Sequence, residues 1–505
     1  MDAKLIELGW TESNISSIAR NKKHITTVEE LPIKEHRNLK KLFNIGFKNK
    51  NISSILGKAG AKADIAIKAL VDNSHALKRL ISEFDFTATN ISSILHGAGA
   101  KADIAIKALV DNSHALKRLI NESDFTATNI SSILHGAGAK ADIAIKALVD
   151  NSNTLKRLIS ELDFTATNIS SILGGAGAKA DIAIKALVDN SHALKRLIDE
   201  SDFTTENISS ILNGAGSKAD IAIKALVDDS NALKRLIDES DFTAANISSI
   251  LNKAGSKADI AIKALVDNGN ALKRLIDESD FTATNISSIL GGAGAKADIA
   301  IKTLVGNSDA LKRLINESDF TAENISSILS KAGSKADIAI KALVGNSDAL
   351  KRLINESDFT AENISSILNG AGAKADIAIM ALVDNSNALK QLINKSDFTA
   401  TNISSILDGT GAKADIAIKA LVDNSNALRK LINESDFTAT NISSILDGAG
   451  AKADIAIKTL VSNIKHLKKL KIHPYRKWSE ISIILRNNKS NFAPAIQNLA
   501  AEVPA

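Results

Sequence analysis

Apolar positions along this chain recur in a block of 39 residues. In the copy that begins at Phe86, Ile91, Ile94 and Leu95 stand at i, i+3 and i+4, the spacing of one helix face. Thr87 precedes the stretch and is placed to cap it, and the Gly-Ala-Gly run at 97–99 is expected to end it in a loop. A second helix is predicted from near residue 100, where several copies read Ser-Lys-Ala-Asp, as from Ser217 to Asp220, a capping-box pattern. Its apolar positions include Ile104, Ala108 and Leu109. The polar run Asp111-Asn112-Ser113 competes with the helical backbone, so a kink or break should precede a last helical stretch carrying Leu116, Leu119 and Ile120. Two helices, the second bent, or three short ones both satisfy the pattern. The units hold no Pro and no sustained apolar–polar alternation, so the fold class is all-α, a solenoid of stacked repeats.

Eleven copies run through residues 47–462. Phe86, Phe125, Phe164 and Phe203 mark one large apolar residue per unit, which is what an inter-repeat core needs, and that reading is preferred to a stacking role. Residues 1–46 and 463–505 hold divergent partial copies beginning at Trp10 and Trp478, as expected of caps that shield the end faces of a solenoid. The N-terminal cap replaces the Gly-rich loop with a cationic one containing Arg20, Lys22 and Lys23.

Almost the only free choice within a unit is a pair of residues after the Asn-Ile-Ser-Ser-Ile-Leu run. From first to last the pairs are Gly57-Lys58, His96-Gly97, His135-Gly136, Gly174-Gly175, Asn213-Gly214, Asn252-Lys253, Gly291-Gly292, Ser330-Lys331, Asn369-Gly370, Asp408-Gly409 and Asp447-Gly448. The alternative register, Gly97-Ala98, shifts the pair by one residue. A fixed Lys follows the Gly-containing turn in every copy: Lys62, Lys101, Lys140, Lys179, Lys218, Lys257, Lys296, Lys335, Lys374, Lys413 and Lys452. A helix start with free amides and a flanking Lys suits phosphate, and eleven at fixed spacing make a phosphate track; solvated surface lysines are the plainer reading.

A short helix, a variable pair, a Gly-containing turn, a following Lys and a second bent helix, repeated along nearly the whole chain, resemble the TAL effector superfamily of DNA-binding repeats. The run Ile91-Ser-Ser-Ile-Leu-His96-Gly97-Ala98-Gly99-Ala-Lys101 carries the resemblance, and Ile18 to Glu29 resembles that family's degenerate leading repeat. The unit here is longer, its turn has Ala100 or Ser217 where a second Gly is usual, and it lacks Pro. The resemblance implies a right-handed superhelix that follows the major groove of double-stranded DNA, with one repeat per base pair and sequence-specific reading by the variable pairs. It further implies phosphate contacts from the basic leading loop, beside the phosphate track that the fixed lysines suggest on physical grounds. Glycine at the second position leaves room for a thymine methyl group, while Lys58, Lys253 and Lys331 can donate to guanine O6 and N7. A T-rich site with guanine at positions one, six and eight is the expected target. Asp408 and Asp447 fit phosphate proximity poorly and are read as turn caps.

Charge adds little to this picture and cysteine content removes several alternatives. The net charge is +5, with the two ends at +4 and +6 and the array at −5. Basic ends could anchor the array to a polyanion or merely keep it soluble. There is no Cys, so disulfides and thiolate metal sites are excluded. No signal-like start is seen and no run approaches the roughly 18 apolar residues of a membrane span. His75, His114 and His192 repeat one surface position, and Asp103 and Asp111 recur as helix-start and turn residues, so no single active site, metal or cofactor is expected. The expected partner is duplex DNA, bound by a monomer in the nucleus of a host or in a bacterial nucleoid, with no membrane and no small-molecule substrate. Competing readings are a protein-binding solenoid and a nucleic-acid binder without sequence preference. Helical repeats of the mitochondrial transcription termination factor type are a further alternative, which leaves RNA open.

Overall fold

The computed structural model describes residues 42–395, 397–434 and 438–464, with isolated positions beyond. Nearly all of both capping segments, including Arg20, Lys22 and Lys23, lies outside the described residues. The chain divides into two compact units within its sixth repeat: Met1–Ile237 with Thr243–Lys263, and Asp238–Phe242 with Ala264–Ala505. Each is an all-α stack of helical repeats.

The second repeat shows the build. Its first helix is Ala88–Ala98, a 3-10 turn covers Gly99–Lys101, the second helix is Ala102–Asp111 and the third is Ser113–Glu122. The three-helix alternative therefore holds. The break falls at Asn112, whose side-chain Nδ2 donates to the Ala108 carbonyl at 2.9 Å, a local bond that competes with helix continuation. Thr87 caps the first helix as the sequence implies. Its Oγ1 accepts from the Asn90 N–H at 3.1 Å while Asn90 Oδ1 accepts from the Thr87 N–H at 2.9 Å, so two otherwise orphaned amides are satisfied.

Four expectations need correction. The first helix does not stop before the variable pair: it continues to Ala98, and Gly99 ends it at φ 56°, ψ −121°, a conformation that essentially only glycine adopts without strain. His96 and Gly97 thus form the last helical turn rather than a loop. The Ser-Lys-Ala-Asp pattern is not a capping box either. Ser217 lies inside the 3-10 turn, and Lys218 at the N-cap has φ −114°, ψ 21° and no side-chain cap, because the turn itself bonds the Ala219 amide to the Gly216 carbonyl. Ile104 is not a core position: Ala102, Ala105, Ile106 and Leu109 form the buried stripe, and Ile104 points away from it at 42% exposure. Finally, one stretch, Ala361–Asp384, is long and apolar enough by length and composition to cross a membrane, its most apolar 18-residue window having a mean hydropathy of 1.3. It shares the build of the other repeats, turning at Gly372 (φ 54°), and its composition differs because Met380 stands where its neighbours have Lys.

Within each unit, first helices pack on first helices and second on second. Ile91, Ile94 and Leu95 are fully buried, as are Ile106, Leu109 and Leu116, and the Phe series is buried at every described copy from Phe47 to Phe398. Polar bonds lock the register across the stack. The first Ser of each Ser-Ser pair from Ser92 to Ser443 is buried, and Ser131 Oγ donates to the Asn90 carbonyl at 3.3 Å, as Ser209 does to Asn168 at 3.2 Å.

Because Phe164 is buried and Thr165 acts only as a cap, their truncation should differ in scale. We expect Phe164→Ala to lower stability by about 3–5 kcal/mol and Thr165→Ala by about 1 kcal/mol. Denaturant unfolding of the full chain followed by circular dichroism checks the order; equal losses would contradict the core role of the Phe series.

Candidate nucleic-acid interface

The pairs lie at the ends of successive first helices, and within each unit they form a row along the seams between repeats. His96 and Gly97 are half-buried, whereas Ala98 and its counterparts are buried. An Ala98 side chain has no open face to offer, which favours His96-Gly97 over the shifted register.

In several pairs the side chain of the first residue reaches back to the preceding repeat. His96 Nδ1 lies 2.8 Å from Ser54 Oγ, and His135 Nδ1 lies 2.8 Å from the Ser93 carbonyl. Asn252 Nδ2 donates to Ser210 Oγ at 2.9 Å, and Asn369 Nδ2 to Ser327 Oγ at 2.8 Å. Each partner is the second Ser of a Ser-Ser pair, a fixed residue whose counterpart in the bond varies. The rings of His96 and His135 are stacked, with centroids 5.8 Å apart.

The second residue faces the opposite neighbour. A Cβ on Gly97 would stand 2.5 Å from the His135 carbonyl oxygen, and one on Gly136 would meet the Gly174 backbone as tightly. The glycine here is therefore required by the close approach of two backbones, a reason distinct from room for a thymine methyl group. Lys58, Lys253 and Lys331 occupy the same position with exposed side chains, and the seams at Lys58 and Lys331 accommodate a Cβ that the glycine seams exclude.

All eleven fixed lysines, from Lys62 to Lys452, are exposed and close their 3-10 turns. Their surroundings are less purely electropositive than the sequence suggests. The turn consumes the Ala102 amide, and Asp103 sits in the same first turn. A parallel row of isoleucines, Ile65 to Ile455, is exposed at 40–54%.

Asp408 and Asp447 are neighbours in the row, close enough for their charges to interact. Partial desolvation raises the Asp408 pKa above the ordinary carboxylate value, and the Asp447 charge raises it further, while a hydrogen bond with Ser366 opposes both. The surface positions assigned to His75, His114 and His192 hold. Among the described residues no group of three His, Asp or Glu could hold a metal ion. Clefts of about 110 to 370 Å³ recur between third helices with equivalent linings, such as Arg313, Glu317, Asp348 and Lys351, Asn387 replacing the Asp in one of them, and this repetition gives no unique reaction centre. The back-bonds from the variable residues span 42 positions in sequence, so sequence periodicity carried no signal for them. No family model, curated protein or solved structure matches the chain.

Two predictions follow from the row. Gly136→Ala should destabilise the chain by about 1–3 kcal/mol through overpacking against backbone, while Ala139→Ser, an exposed change already present at Ser217, should stay within about 0.5 kcal/mol; denaturant midpoints decide. For Asp408, the raised folded-state pKa means that the charged carboxylate is disfavoured by folding, so this group's contribution improves as pH falls through that pKa. Asp408→Asn should then be more stable than the parent at neutral pH, with the gap closing toward acidic pH. A gap that widened on acidification would contradict the assignment.

Proposed function

We propose that the chain binds double-stranded DNA in the manner of the TAL effector superfamily it resembles, with the variable row toward base edges and the lysine row toward phosphates. The observation that carries the reading is the juxtaposition of two rows: one where the sequence varies unit by unit, and beside it one where an exposed Lys is fixed in every unit. Sequence readers need chemical variety, whereas the phosphate backbone is the same at every step and calls for a constant cation. Histidine, asparagine, serine and aspartate in the pairs supply donors and acceptors, and Lys58, Lys253 and Lys331 supply guanine-directed donors. Eleven units at one base pair each span about one turn of B-DNA, 10–10.5 bp. A protein-binding scaffold is the second reading, and the exposed isoleucine row is the observation that favours it, since phosphate binding has no use for it.

The test is selection from a randomised duplex library followed by titration of the enriched site in salt. The DNA reading expects a site near 11 bp with guanine at positions one, six and eight, and a slope of log K against log salt near −10, from roughly −0.9 per phosphate contact. Absence of any enriched sequence together with a shallow slope would favour the protein-binding reading instead.

A further inference from the structure

We infer that the reading element is the seam between two repeats rather than the repeat: the second variable residue of one unit acts together with the first variable residue of the next. The inference rests on the DNA-binding reading above and changes how that reading assigns bases. It comes from where the first residues dock. Asn252 belongs by sequence to the sixth repeat, yet its amide nitrogen is bonded to Ser210 of the fifth, and its Oδ1 lies closer than 3.0 Å to where a Cβ on Gly214 of the fifth would stand. Asn213 holds the same position over Gly175, Asp408 over Gly370 and Asp447 over Gly409. Asp408 is also hydrogen-bonded to Ser366 of the unit before it.

Glycine has no side-chain donor or acceptor of its own. At a glycine seam, the hydrogen-bonding groups beside that glycine are therefore those of the next repeat's first residue. Gly175 is half-buried while Asn213 is exposed, so a base edge brought to Gly175 meets the Asn213 carboxamide. The array then contains several kinds of glycine seam. Gly97 is paired with His135, Gly136 with Gly174, Gly175 with Asn213, Gly292 with Ser330, and Gly370 with Asp408. The fourth and seventh repeats carry identical pairs, Gly174-Gly175 and Gly291-Gly292, and a repeat-by-repeat code makes them equivalent. Their seams differ, one closed by Asn213 and the other by Ser330.

The test uses the full chain carrying Asn213→Ser, with Asn213→Gly as a second variant. Both residues already occur at this position in the array, at Ser330 and Gly174. Selection from randomised duplexes, followed by competition between single-base variants of the selected site, gives base preference position by position. Asn213→Ser is expected to change the preference at the fourth position by about tenfold, the scale of one base-edge contact, to make it resemble the seventh position, and to leave the fifth unchanged. Asn213→Gly should change the fourth position as well. A change confined to the fifth position, or none at the fourth, overturns the seam assignment while leaving DNA reading intact. Failure of the parent chain to select any sequence overturns both, and is recognised before either variant is made.

Discussion

Where one first helix ends, its last turn lies so close to the last turn of the next repeat that the backbone of His135 leaves no space for a Cβ on Gly97. Much else follows from this approach. It brings the first variable residue within reach of a serine on the preceding unit, so polar bonds span the seam: Ser54 with His96, Ser210 with Asn252, Ser327 with Asn369. The helix must also end sharply, because a longer first helix would carry its next residues away from the turn that leads into the second. Gly99 at φ 56° makes that end, and the 3-10 turn after it returns the chain to place Ala102 in the core and Lys101 in solvent. A loop free to move would not hold a row of side chains in register; the last turn of a capped and packed helix does.

Charge and apolar surface are distributed along the same geometry. The second helix buries Ala102, Ala105, Ile106 and Leu109 and leaves Ile104 and Lys107 exposed, as is Lys101 in the turn before it. Lysine and isoleucine rows thus run beside the variable row within each unit. Ion pairs join third helices, as between Lys351 and Glu317 at 3.4 Å and Lys390 and Glu356 at 3.5 Å, but both partners are well exposed and such pairs contribute little. Buried Phe, Ile and Leu hold the stack, and the surface is left to carry recognition.

Much of this was legible in the residues. The spacing of Ile91, Ile94 and Leu95, the cap at Thr87, the break at Asn112 and the burial of the Phe series all follow from local rules of periodicity and hydrogen-bond competition. The end of the first helix did not, because glycine beside the pair reads as loop by propensity, while the ending is set by backbone geometry at Gly99 alone. Ile104 was misplaced because its residue type outweighed its phase: it falls between Ala102 and Ile106, outside the i, i+3, i+4 set of the buried face. The seam contacts were hidden for a different reason, since they join residues about one repeat apart and depend on how closely neighbouring units pack.

Those contacts also decide what kind of array this is. If each variable pair acted alone, the order of repeats would matter only as the order of letters in a target. The row instead couples neighbours before any ligand arrives: the Asp447 carboxylate helps raise the pKa of Asp408, and the His135 ring stacks on that of His96. Such terms belong to adjacent pairs, in the way that stability in stacked repeats is a sum of unit and neighbour contributions. Exchanging two repeats within a unit would preserve composition and core and still alter which side chains share a seam. The chemistry presented along the row is therefore a property of the sequence of neighbours, and a chain built from nearly identical units can offer more distinct surfaces than it has distinct repeats.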